Sequence, residues 1–210
     1  LCLAESLIEK EKFDPSDQMQ RYLKWSRDGY LSSNGKCFDI GMTVGIALRK
    51  FKKTNDPYAG SEAPNFAGNG SLMRLAPIPL VYANDEIVAM EKAVESSRTT
   101  HGTKNCTDAC RYMAVLILGA VKGKSKQTIL NEIALPTLEI WNQRPLAPAI
   151  ANIASGSYQR KEPPEIKGTG YVVNSLEAAL WAFYKSENFE EGALMAVNLG
   201  DDADTTGAIY

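Results

Sequence analysis

The chain has 210 residues, 44% hydrophobic and 23% charged, with 23 basic against 25 acidic residues and a formal net charge of -2. A length of this order holds one domain with its own core, needing neither disulfide nor metal, so residues 1–210 read as a single domain. The balanced charge, with no basic block, argues against nucleic acid as a partner, and no apolar run reaches the length of a membrane span.

Helical signals dominate. Asp14-Pro15 marks a helix start, because the carboxylate caps free N–H groups and Pro15 suits the first helical position. Met19, Tyr22 and Leu23 continue it as an apolar stripe, and Gly29 closes it. Asp39, between Phe38 and Ile40, has two readings: a carboxylate held near a pocket, or the N-cap of a helix carrying Ile46 and Leu48. Asn84 opens a further helix with Ile87, Met90 and Val94 on one face. The run from Thr107 to Val121 is apolar almost all round and too short to cross a bilayer, which predicts a central buried helix.

Asn174 with Glu177, and Asn188 with Glu191, have the form of capping boxes. The first precedes Leu176, Leu180 and Phe183; the second precedes Leu194 and Val197. Gly170-Tyr171-Val172-Val173 is the only β-like run. Glycine and proline cluster at residues 55–70 and 155–170, as loops of the kind that line sites. The expected fold is all-α.

The sharpest chemical feature is Asp202-Ala203-Asp204-Thr205. Two carboxylates and a hydroxyl within one turn of chain offer the hard oxygen donors that Mg²⁺, Mn²⁺ or Ca²⁺ prefer. The plainer alternative is that Asp204 caps a helix starting at Thr205 or Thr206. A third reading takes Asp202, Asp204, Thr206, Gly207 and Ile209 as the opening of an EF-hand calcium loop.

Gly68-Asn69-Gly70-Ser71-Leu72-Met73-Arg74 permits positive φ and close backbone approach. Ser71 in it can cap a helix whose N–H groups form an anion nest; the alternative is a tight turn into a helix. His101 sits in a helix-to-helix connection, either as a hydrogen-bonded structural residue or as a site residue. In Gly168-Thr169-Gly170-Tyr171 an aromatic ring stands beside flexible backbone, suited to covering a flat ligand or to packing in the core. The four cysteines have no CxxC spacing and predict free, buried or half-exposed thiols in a reducing cytosol, hence a cytoplasmic protein. A single histidine excludes a zinc site built mainly from imidazoles.

Taken in order, these segments resemble the ADP-ribosylglycohydrolase family, which includes dinitrogenase reductase-activating glycohydrolase. The resemblance runs through Cys37-Phe38-Asp39-Ile40-Gly41, Gly68-Asn69-Gly70-Ser71-Leu72-Met73-Arg74, Thr100-His101-Gly102 and Gly170-Tyr171-Val172-Val173. It continues in Leu176-Glu177-Ala178-Ala179-Leu180-Trp181 and Asn198-Leu199-Gly200-Asp201-Asp202-Ala203-Asp204-Thr205.

The resemblance implies a single-domain orthogonal helical bundle. It also implies a hydrolase that cleaves the glycosidic bond between ADP-ribose and a protein side chain or small acceptor, using two Mg²⁺ or Mn²⁺ ions. Carried over by position, Asp202, Asp204 and Thr205 are metal ligands, and Asp39 is the catalytic carboxylate that positions or deprotonates water. Gly68, Asn69, Gly70 and Ser71 cradle the diphosphate or distal ribose, while His101, Gly170 and Tyr171 complete the substrate site. The partner so implied is an ADP-ribosylated protein or a small ADP-ribose conjugate, with no nucleic acid or membrane. Asp201 stands where many relatives carry Gly.

The family's remaining metal ligands lie in a Thr-Asp-Asp segment ahead of the run resembling Leu1-Cys2-Leu3-Ala4-Glu5. The expectation is therefore a chain incomplete at both termini that, as it stands, binds metal poorly and turns over weakly. The alternatives in function are a non-catalytic ADP-ribose or nucleotide-binding module and a calcium-loop protein.

Overall fold

A computed structural model describes residues 1–133, 141 and 143–210. The helices are α1 (Cys2–Lys10), α2 (Pro15–Asp28), α3 (Met42–Thr54), α4 (Pro77–Val81), α5 (Glu86–Arg98) and α6 (Lys104–Val121). They continue as α7 (Lys126–Thr128), which runs on into a π-helical turn at Ile129–Ile133, then α8 (Pro148–Ala154), α9 (Val172–Lys185), α10 (Phe189–Val197) and α11 (Ala203–Ile209). Among the described residues there is no strand, only isolated bridges pairing Ser61 with His101 and Gly68 with Tyr171. The all-α expectation holds. Among the same residues no helix is long and apolar enough to cross a membrane.

The apolar run becomes α6, which buries residues on nearly every side, from Cys106 to Gly119. It packs most extensively on α5 and also meets α9. Tyr112, Val115 and Leu116 of α6 join Leu176 and Leu180 of α9 and Ile150 of α8 in the larger core. Each such side chain contributes about 1.5–3 kcal/mol by leaving water. A smaller cluster holds Met19 and Tyr22 of α2 against Ala47, Leu48 and Phe51 of α3.

Several helix ends follow from local chemistry. The Asp14 carboxylate accepts the Asp17 N–H at 2.9 Å, and Gly29 closes α2 with φ 68° and an N–H donated to the Trp25 carbonyl. Asn188 caps α10 by accepting the Glu191 N–H at 2.9 Å. The reciprocal bond reaches one residue further back than in a standard capping box, from the Glu187 N–H to the Glu191 carboxylate at 2.7 Å.

Other ends differ from expectation. The cap of α5 is Asp85, not Asn84, accepting the Val88 N–H at 3.0 Å. Ala89, Met90, Ala93 and Val94 face inward from α5, whereas Ile87 is exposed. Gly41, not Asp39, precedes α3. Asn174 lies inside α9 and caps nothing; its amide donates to Thr169 Oγ1 at 3.1 Å. Glu177 is drawn to Ser157 and Lys161 on the other side of the helix.

The reason α9 starts where it does is a tertiary bridge. Asn69 N–H donates to the Gly170 carbonyl and Val172 N–H to the Ala67 carbonyl, which orient the chain before the first helical turn. That bridge is all that the β-like run amounts to. On α10, Gly192 and Ala196 face inward while Leu194 and Val197 stay largely exposed. A Cβ on Gly192 would overlap the Tyr210 ring, and one on Gly207 of α11 would lie 2.7 Å from Val197 Cγ1, so glycines on both helices permit their close approach.

Candidate active site

Residues 68–74 form a succession of turns, not a helix start. Ser71 therefore caps no helix; it is buried with Ser97 Oγ at 2.9 Å and Cys110 Sγ at 3.6 Å from its hydroxyl. Gly68 and Gly70 do not take positive φ either. Their requirement is close approach: a Cβ on Gly68 would lie 3.3 Å from His101 Nε2, and one on Gly70 would lie 3.1 Å from His101 Cε1.

His101 follows α5 and is 2% exposed. Its backbone N–H donates to the Ser97 carbonyl at 2.7 Å, and its Nδ1 is 2.7 Å from Thr100 Oγ1. Burial, reinforced by the Arg74 charge, pushes the imidazole down to about 3, so it is neutral across the physiological range. Arg74 itself lies over the Tyr22 ring, 5.1 Å from its centroid. Its guanidinium donates to the Gly70 carbonyl at 2.8 Å and to Thr100 Oγ1 at 2.7 Å, tying the 68–74 turns to the end of α5.

On the opposite wall, the Asp202 N–H donates to the Gly168 carbonyl at 2.7 Å. Its carbonyl accepts the Thr206 N–H at 3.0 Å and the Thr206 hydroxyl at 2.9 Å, which starts α11. Asp204 then sits in the first turn, exposed, and caps nothing. Thr205 is buried with its hydroxyl 3.9 Å from the Met73 sulfur. Asn69 joins the two walls: its amide donates to Asp202 Oδ2 at 2.7 Å and to Ser175 Oγ at 2.9 Å.

The calcium-loop reading fails on this geometry. Residues 203–209 are helical and not an irregular ligand loop, and Thr206 is fully buried with its hydroxyl donating to the Asp202 carbonyl, so it lies apart from the two carboxylates that line the cleft.

One cleft of about 680 Å³ gathers Asp39, Gly68, Asn69, Gly70, His101 and Gly170 with Asp202, Asp204 and Thr205. Asp39 is exposed at its edge and holds a left-handed φ of 51°. Ser71 lies beneath the lining. Tyr171 is outside it, 40% exposed, with its hydroxyl accepting from the Asn105 amide at 3.0 Å. Tyr22, Trp25, Met73 and Arg74 also line the cleft, and none of them was expected there. Tyr22 reads as core from its helical stripe. Arg74 had one available signal, a guanidinium directly after a glycine-rich run.

The donor set on α11 suits a hard cation, with two carboxylates and a hydroxyl on one turn. Among the described residues no three His, Cys, Asp or Glu side chains gather as a metal-binding group. Behind the cleft, Cys106 Sγ lies 3.2 Å from the Gly68 carbonyl, and burial pushes its thiol up to about 12. Cys2 and Cys110 are likewise buried and raised, whereas Cys37 is half-buried; all four thiols are free.

Residues 1–210 match the family described as ADP-ribosylglycohydrolase. The ADP-ribosylarginine hydrolase Tri1 of Pseudomonas putida is 35% identical over 208 residues, covering 99% of this chain and 54% of the relative. The protein of the same name from Serratia proteamaculans is 32% identical, with the same coverage. A solved structure described as an ADP-ribosylglycohydrolase-related protein complex superposes with a TM-score of 0.82 at 42% identity, covering all of this chain and 65% of that one. The chain thus spans about half the length of these curated relatives. With a match from end to end and the same arrangement of helices, the chain belongs to the ADP-ribosylglycohydrolase family.

Proposed function

We propose that this chain supplies one wall of a metal-dependent active site that hydrolyses the bond between ADP-ribose and an acceptor. The names of the two relatives make ADP-ribosylated arginine on a protein the first substrate to test. One observation carries the reading. Five separate stretches, at Asp39, residues 68–70, His101, Gly170 and residues 202–205, meet in a single cleft.

Asp202, Asp204 and Thr205 fit Mg²⁺ or Mn²⁺ as part of a ligand set, since a hydrated hard cation accepts carboxylate and hydroxyl oxygens. When bound, such an ion supplies positive charge and acidifies bound water. The chain's own residues do the rest. Asn69 fixes the Asp202 carboxylate through its amide. The side-chain-free Gly68 and Gly70 let a diphosphate or ribose approach the backbone. Asp39, free of the helix-capping role, is placed to orient or deprotonate water and to stabilise positive charge developing on the ribose.

The test is release of ADP-ribose from an arginine-ADP-ribosylated protein in the presence of Mg²⁺ or Mn²⁺, measured in a protein that carries this chain together with the other wall of the site. Asp202→Asn should lower release by about 100-fold or more, and chelation should abolish it. Release that is unaffected by Asp202→Asn or by chelator overturns the metal assignment. ADP-ribose bound without any release favours a non-catalytic binding module.

A further inference from the structure

We infer that Arg74 and Thr100 are positioning residues that hold His101 as its Nε2-protonated tautomer, so that the ring offers the cleft a hydrogen-bond donor. A guanidinium has only donors, so Thr100 Oγ1 must accept from Arg74 across their 2.7 Å contact. The same hydroxyl lies 2.7 Å from His101 Nδ1, and among the described residues these are its two partners.

Thr100 is fully buried. If Nδ1 carried the proton, Oγ1 would accept twice and its own proton would be left without an acceptor in the interior, which folded proteins avoid. If Nδ1 is bare, Oγ1 accepts from Arg74 and donates to the ring, and every group is paired. The single proton of the neutral imidazole then rides on Nε2. That atom faces Gly68 and Gly70, where the missing side chains leave the cleft wall thin. The recognised chemistry is an oxygen acceptor, a phosphate or hydroxyl oxygen. Only this choice of ligand rests on the proposed function; the tautomer does not.

The chain has one histidine, so its ring nitrogens can be read without ambiguity in a ¹⁵N-labelled sample. Long-range ¹H–¹⁵N correlation of the ligand-free chain should show Nδ1 unprotonated and Nε2 protonated. The reverse pattern overturns the inference. Thr100→Ser keeps the hydroxyl and should preserve the pattern, whereas Thr100→Val should shift it toward a mixture or toward Nδ1–H. An unchanged pattern in a folded Thr100→Val chain removes Thr100 from the role. Added ADP-ribose should move the Nε2 resonance of the wild-type chain. If ADP-ribose fails to bind while the tautomer is as expected, the proposed function falls and the positioning role stands.

Discussion

His101 is buried as a neutral ring, and this has a measurable cost in acid. In the unfolded chain an imidazole takes up a proton near pH 6.5, whereas in the fold that is deferred to about 3. The unfolded state therefore binds more protons throughout that window. Stability from this residue is complete above about pH 6.5 and falls as pH drops toward 3, by at most about 1.4 kcal/mol per unit. Denaturant midpoints measured from pH 7 to pH 5 should fall more steeply for wild type than for His101→Gln. Equal slopes would show that the ring is accessible to protons in the native state. Asp202 and Asp204, which line the cleft, stand out in the sequence because the two carboxylates are only two positions apart. Arg74 and Thr100 were not, because they act through a bond between residues 26 positions apart that no local pattern announces.

Legibility varies along the elements for the same reason. Helix ends built from a side chain and the next few N–H groups, as at Asp14 and Asn188, can be read directly. The start of α9 cannot, since it is set by the bridge from Ala67 and Asn69, and Glu177 is claimed by Lys161 instead of by a cap. Which side of α10 is covered is not local either: Gly192 and Ala196 are buried, and Gly192 lies against the Tyr210 ring at the end of α11.

Asn69 shows what such inter-element bonds contribute. Its one amide group serves the Thr169 carbonyl, Ser175 of α9 and Asp202 at the head of α11. Asn69→Ala should cost about 1–3 kcal/mol by leaving buried acceptors unpaired. It should also weaken ADP-ribose binding more than an alanine on the outer face of α5, such as Ile87→Ala. Urea melts paired with calorimetric titration check both effects. Binding that survives unchanged would mean that the two walls hold their spacing without this amide.

Across the whole molecule, the cleft lies where the two hydrophobic clusters meet. Cys2 and Tyr22 reach it from the smaller cluster and Leu3 from the larger. Such a meeting of distant segments was visible in the sequence only through the ordered resemblance to a family, since composition and periodicity specify faces and not which faces adjoin. In the loop between α2 and α3, Tyr30 packs against the smaller core, whereas Phe38 and Ile40 beside Asp39 are exposed.

The state of the four cysteines makes that loop addressable. Cys2, Cys106 and Cys110 are buried, and burial holds each thiol protonated and therefore slow to react. Cys37 alone is half-buried, two positions from Asp39. A maleimide dye added to the native chain should attach at Cys37 first, with the remaining three thiols becoming reactive only on denaturation. Mass spectrometry of the labelled peptides checks this, and early labelling at Cys106 would contradict the burial described for it. The natural sequence thus already contains a single attachment point for a fluorophore, beside the carboxylate whose surroundings most need to be followed when a ligand arrives.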